Sequence, residues 1–365
     1  MNLQRTLKLA AACLCSLLSL FSFSYAKDTE VMQVIGVPAD PTLRAITGDA
    51  WALYLDGPID SGAAKRLEDF IVSNNVPRES WAILNSPGGS LFGGMELGRV
   101  IRKYDLRTDI GERKPSHKLR LEYDTGECHS ACTLAFIGGK FRFLHSGSRF
   151  GVHRFAFSSP QKGETDLAQI ASASIVTYLR EMDVDPDLFS LSTKAGPSEI
   201  YEPTAQELSR LKVVNNGFEN PKWSIESNNG FLYLKGERDT VYGINKFLLS
   251  CPDPSGMVLY VIFDPQGRDD EVMSLPAHSL VIDGKTTPVK PISKRIVNGW
   301  FNTAYNLTIP QVRAIQRAKS VGLIVQPSYS APIFLGFNEM PFEEGAHKLA
   351  GIVNSCGFAN TKTRR

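Results

Sequence analysis

Beyond Phe23 the chain has no apolar run approaching the ~20 residues that span a bilayer, so a membrane helix is excluded everywhere but the start. An excess of charge of one sign is missing too. Lysine and arginine total 40 and aspartate and glutamate 38, and the first 26 residues hold two of the basic ones, Arg5 and Lys8, and none of the acidic ones. The remainder is formally neutral, which argues against a nucleic-acid partner. Histidine is scarce, six in all, and beyond His117 and His129 none stand close enough to suggest a ligand set, so no metal and no cofactor is expected. There is no internal repeat and no low-complexity tract. Hydrophobic residues at 42% and charged residues at 21% are ordinary for a globular chain, and 365 residues are long for one core, so two domains are expected.

Residues 1–26 combine two early basic residues, an apolar run from Leu9 to Phe23 broken by serines, and Ser24-Tyr25-Ala26 ahead of Lys27-Asp28. This is the pattern of a secretory signal peptide, with an uncleaved anchor as the alternative, and it predicts a periplasmic or secreted protein. Four cysteines follow it: Cys128, Cys132, Cys251 and Cys356. An even number in an exported chain invites disulfides, and three pairings exist. Cys251 with Cys356 is favoured, because both are read as following helix-like segments of the second domain. Cys128 with Cys132 requires that the chain not be helical across both; otherwise they are small buried residues.

The informative stretch runs from Ala82 to His153. An apolar strand, Trp81 to Leu84, enters Asn85-Ser86-Pro87-Gly88-Gly89-Ser90 and then a helix-like segment from Leu91 to Arg102. A strand, a glycine turn and a helix start make a backbone that can present free N–H groups to an oxyanion, although an ordinary βα turn has the same outline. Ser130 then opens Ser-Ala-Cys-Thr-Leu-Ala-Phe-Ile, a small apolar segment suited to a buried helix, where a serine serves either as nucleophile or as N-cap. His153, in Phe-Gly-Val-His-Arg, offers an imidazole that titrates near neutrality and suits a general base, or else a structural histidine.

Taken together, Gly-Gly, Ser and His in this order resemble the proteolytic subunit of the Clp protease and its relatives in the Clp/crotonase superfamily, over roughly residues 51–215. The Cys-His-Ser-Ala-Cys setting of Ser130 is similar to a group of exported Clp-like bacterial proteins. The resemblance implies a repeated ββα core with a parallel sheet, Ser130 as nucleophile, His153 as base, and an oxyanion turn at Gly88 and Gly89. Gly89 and Ala131 would supply the oxyanion amides. The family's acid is expected between Pro197 and Thr204, where no aspartate occurs; Glu199 is the first choice to orient His153 and Glu202 the second. The stretch 111–127 is longer than the family pattern, as a substrate-covering loop or a plain surface insertion.

Around this stretch, βα alternation runs through strand Trp51–Leu55, helix Ser61–Ser73, strand Trp81–Leu84, helix Leu91–Lys103 and strand Leu106–Ile110, which predicts a largely parallel sheet covered by helices. Residues 28–50 are an irregular lead-in or an added edge strand. A helix over Thr165–Met182 should bury Leu167, Ile170, Ala171, Ile175 and Leu179 on one face. Thr204 should open a short helix, with Lys212–Asn215 as the last strand. The expected organisation is a signal peptide over 1–26, an α/β domain over 27–216, a linker near 217–222, and a smaller α+β domain over 217–365. That last domain shows short strands such as Phe231–Lys235, Val258–Phe263 and Ser279–Asp283, and helices over Pro310–Val321 and Glu343–Ser355.

The leading functional expectation is an exported serine hydrolase, a peptidase acting on peptides or unfolded chains without ATP, with assembly into a homo-oligomer left open. The alternative is a catalytically inactive binding or scaffold protein of the cell envelope. An acyl-CoA enzyme of the crotonase branch ranks last, since CoA is not expected outside the cytoplasm.

Overall fold

Ala52 to Leu55 are four consecutive buried residues, as a strand covered on both faces provides. The computed structural model describes residues 31–42, 48–156, 163–228, 230–253 and 256–355. The expected signal peptide and Cys356 lie outside the described residues. Strand β2 (Ala52–Asp56) runs parallel to β3 (Trp81–Asn85), which runs parallel to β4 (Arg107–Ile110), and β1 (Gln33–Val37) is an antiparallel edge strand on β2. Helices α1 (Ala63–Asn74) and α2 (Leu91–Lys103) make the crossovers and cover one face, packing Leu67, Ile71, Leu97 and Ile101 with Leu53 and Leu55. On the opposite face Ala52, Tyr54 and Ile83 meet Tyr123. The 111–127 insertion is tied down there: the Tyr54 hydroxyl donates to the Arg120 carbonyl at 2.6 Å, and the Tyr123 hydroxyl to Asp109 at 2.8 Å. The insertion therefore seals the outer face of the sheet.

Past the end of β3, Ser86 pairs in parallel with Cys128 of β5 (Glu127–His129), and β5 pairs in parallel with β6 (Arg149–Gly151). Helix α3 (Ala131–Ile137) leaves β5 directly and is buried along its whole length. It approaches α2 closely because glycines line the contact. A Cβ on Gly94 would strike the Ala131 carbonyl, and one on Gly98 would stand 2.7 Å from the Leu134 carbonyl and collide with the Tyr178 hydroxyl. That hydroxyl donates to the Leu134 carbonyl at 2.7 Å, so α4 (Glu164–Glu181) is fastened to α3. Only the C-terminal half of α4 docks: Ala171, Ile175, Tyr178 and Leu179 are buried, whereas Leu167 and Ile170, expected on the same buried face, are exposed. The ties at Tyr178 and between Glu181 and Arg99 act at that end alone.

Helix α5 (Asp187–Ser192) follows, and then α6 (Ala205–Arg210), opened by a Thr204–Glu207 capping box. The expected strand at Lys212–Asn215 does not form. Lys212 has φ 59°, and the buried Arg142 side chain takes the carbonyls of Lys212 and Val213, at 2.7 and 2.9 Å, that a strand would need.

Residues 223–353 build a separate core. A six-stranded antiparallel sheet contains β7 (Lys222–Asn228), β8 (Phe231–Thr240), β9 (Gly243–Asp253), β10 (Gly256–Phe263), β13 (Ser293–Val297) and β14 (Trp300–Leu307). A second antiparallel sheet holds β11 (Ala277–Ile282), β12 (Lys285–Pro288), β15 (Ser320–Gln326) and β16 (Leu335–Pro341). Helices α7 (Asp269–Ser274), α8 (Ile309–Ile315) and α9 (Glu343–Ser355) complete it. The helix expected over Pro310–Val321 stops at Ile315, and Val321 instead sits in β15. Cys251 lies on β9 rather than after a helix. Residues 217–222 are not a free linker: Phe218 bridges to Thr240, Asn220 donates to Asp183 at 2.8 Å, and Lys140 pairs with Asp239 at 3.1 Å beside them. The chain is thus a mixed α/β protein with one largely parallel sheet and otherwise mostly antiparallel ones. Among the described residues no helix is long and apolar enough to cross a membrane.

The α2–α3 contact yields a test. Alanine favours a helix interior over glycine by up to ~1 kcal/mol, but overpacking of a tight contact costs about 1–3 kcal/mol. Gly98→Ala should therefore lower the free energy of urea unfolding; a more stable variant would contradict the packing described.

Candidate active site

Ser130 occupies the one-residue turn between β5 and α3 with φ 56° and ψ −125°, a conformation that non-glycine residues rarely adopt and that costs of order 1–3 kcal/mol. Its flanking peptides are pinned. Its N–H donates to the Gly151 carbonyl at 2.9 Å, and its carbonyl accepts from the Thr133 N–H at 3.0 Å and the Thr133 hydroxyl at 2.6 Å. A disulfide joins Cys128 and Cys132 around it, with Cα atoms 5.1 Å apart. The bridge is compatible with the backbone because Cys128 is on a strand and helix α3 begins only at Ala131. Cys251 is disulfide-bonded as well, and its expected partner Cys356 is outside the described residues.

The glycine turn lies directly against this serine. A Cβ on Gly88 would stand 2.7 Å from the Ser130 Cβ and 3.1 Å from the Ala131 nitrogen, and Gly88 and Gly89 have φ 103° and 137°. Only glycine serves at both places. The turn is held from behind by Ile59, whose N–H donates to the Gly88 carbonyl and whose carbonyl accepts from the Ser90 N–H, each at 2.7 Å. Neighbouring Asp60 is fixed by Arg66, which holds its carboxyl down at about 2. Of the turn's amides, that of Gly88 is taken by the Ser86 hydroxyl at 3.1 Å and that of Ser90 by Ile59. Among the described residues the N–H groups of Gly89 and Ala131 have no acceptor. Gly88 thus contributes clearance, and Gly89 and Ala131 contribute free donors.

Ser130, Ala131 and His153 line one cavity of about 60 Å³, with Leu91, Leu134, Ile175, Leu188 and Phe189 among its apolar walls. Neither glycine of the turn lines it. Ser130 and His153 share the cavity without a hydrogen bond between them. The His153 Nδ1–H donates to the Arg154 carbonyl at 2.8 Å, which leaves Nε2 as the free acceptor.

Glu199, expected to orient His153, makes no hydrogen bond to it; its carboxylate accepts from the Gly196 N–H at 3.0 Å. The register explains this, since Val152 pairs antiparallel with Tyr201 and so sets Arg154, not His153, opposite Glu199. Glu202 faces Arg149 at 3.6 Å. His129, the neighbour of the serine, is buried with its Nε2 unpartnered, and burial lowers its pKa. The cavity residues Leu188 and Phe189 of α5 were not anticipated from sequence; the signal available was a short apolar pair following Pro186, too brief to show a period.

No protein-family model matches the chain, and no curated protein matches it.

The Nδ1–H tautomer of His153 can be tested directly. Neutral imidazole in water favours the Nε2–H form, so ¹⁵N-detected imidazole spectra at pH 8 that show His153 protonated at Nδ1 would bear out the contact. Protonation at Nε2 would contradict the contact with Arg154.

Proposed function

We propose that the protein is an exported serine hydrolase, a peptidase that cuts peptides or unfolded chains, built on a Clp/crotonase-like ββα core. The observation that carries this reading is the backbone of Ser130, held in a costly conformation at a strand-to-helix turn, in one cavity with His153 and Ala131, whose amide has no acceptor among the described residues, and with Gly88 of the glycine turn packed against it. Strain of this kind persists where surrounding structure enforces it, and it clusters at reactive centres. The signal-peptide pattern and the disulfides agree with an oxidising compartment outside the cytoplasm.

In the reaction the Ser130 hydroxyl adds to the scissile carbonyl carbon while His153 Nε2 takes its proton. The carbonyl oxygen becomes an oxyanion and accepts from the Gly89 and Ala131 amides, each such donor contributing ~3 kcal/mol to the barrier reduction. Collapse of the tetrahedral species breaks the C–N bond, His153 passes the proton to the leaving amine, and water activated by the same imidazole releases the acyl group from Ser130. The Arg154 carbonyl does the orienting work that a carboxylate does in a triad. The apolar walls favour a side chain without charge beside the scissile bond.

A binding protein that keeps the fold without the chemistry is supported by one observation, the missing Ser130–His153 hydrogen bond. Unliganded sites often hold this contact loosely. Labelling of the protein by a fluorophosphonate, mapped by mass spectrometry, separates the two readings. Modification at Ser130 that is lost in Ser130→Ala and reduced at least ~100-fold in His153→Ala supports the hydrolase. A folded protein that takes no label supports the binding protein.

A further inference from the structure

We propose that the Cys128–Cys132 disulfide is a positioning device for the nucleophile, holding Ser130 in the backbone conformation from which its hydroxyl and the Ala131 amide serve the cavity. The inference rests on the serine-hydrolase reading above.

The bridge encloses only His129, Ser130 and Ala131, and both cysteines are fully buried. A strand continued over four residues would carry the chain about 13 Å. Here the Cα atoms at the two ends are 5.1 Å apart, so the chain turns within the bridge, and Ser130, with φ 56°, stands at that turn. The remaining ties restrain single peptide groups: Gly151 holds the Ser130 N–H, and Thr133 holds its carbonyl. Neither joins β5 to α3 across the turn. The disulfide does, and it places the Ala131 N–H, which has no acceptor among the described residues, at a fixed angle to the serine. Cys128 and Cys132 touch the core and not the cavity, so their part is to fix the geometry of the nucleophile and of one oxyanion donor.

The test compares the Cys128→Ala/Cys132→Ala double variant with Ile71→Ala, which opens a hole in the same core under α1 and leaves the turn intact. The readouts are melting temperature and the rate constant of fluorophosphonate labelling at Ser130 as a function of pH, well below either melting temperature. The double variant should label roughly tenfold or more slowly than wild type, since small misplacements at a reacting centre are that costly. Its pH midpoint should be unchanged, because His153 is untouched, and Ile71→Ala should keep the wild-type rate even if it melts lower. Equal rates in the double variant and wild type would overturn the proposal and leave the bridge a stabiliser of the fold.

Should the double variant not fold, Cys251→Ala protein is reduced with a phosphine and labelled before and after reoxidation. Loss and recovery of the rate in step with thiols mapped to residues 128 and 132 supports the proposal, and a rate indifferent to reduction overturns it. A wild-type protein that takes no label removes the hydrolase reading itself, and this inference with it.

Discussion

The backbone at Ser130 is the constraint around which the first domain is arranged. A serine at φ 56° and ψ −125° costs of order 1–3 kcal/mol. A disulfide closing so short a ring contributes about 2 kcal/mol by restricting the unfolded chain. The two are of the same size, so the bridge offsets most of what the turn costs, and the hydrogen bonds to Gly151 and Thr133 supply the rest. Gly88 gives the turn clearance, Gly94 lets α2 reach the start of α3, and the Ile59–Asp60–Arg66 group holds the glycine turn from behind.

The histidine is placed by a different device. Val152 is locked to Tyr201 by two backbone hydrogen bonds of 2.8 and 2.9 Å, which fixes where the chain leaves β6. His153 then turns its Nδ1 to the Arg154 carbonyl. A carbonyl fixes a tautomer as well as a carboxylate does, but it brings no full negative charge to stabilise the imidazolium. A dyad of this kind would be a slower catalyst than a full triad.

Much of this was legible in the sequence, for physical reasons that differ by element. The parallel strands were readable because buried strands are continuous apolar runs, as at Ala52–Leu55, and the glycine turn because few residues tolerate its backbone. Other features depend on partners distant in sequence. The periodicity of α4 shows a stripe but not how much of it finds a surface, so Leu167 and Ile170 looked like core and are exposed. Val321 continues an apolar pattern from α8, yet pairing with Ile282 and Met340 draws it into a strand. Glu199 lies at the expected distance along the chain, but strand register, which sequence does not show, sets it opposite Arg154. The Cys128–Cys132 bridge required knowing that the helix starts at Ala131, a single-residue boundary.

The proposed hydrolase rests on attack by Ser130, with the Gly89 and Ala131 amides receiving the oxyanion. A crystal structure of the protein after reaction with a fluorophosphonate tests it most directly. The expected result is phosphorus bonded to Ser130 Oγ, with one phosphonyl oxygen within hydrogen-bonding distance of both amides. An adduct on another residue, or one on Ser130 whose oxygens face away from Gly89 and Ala131, would contradict it.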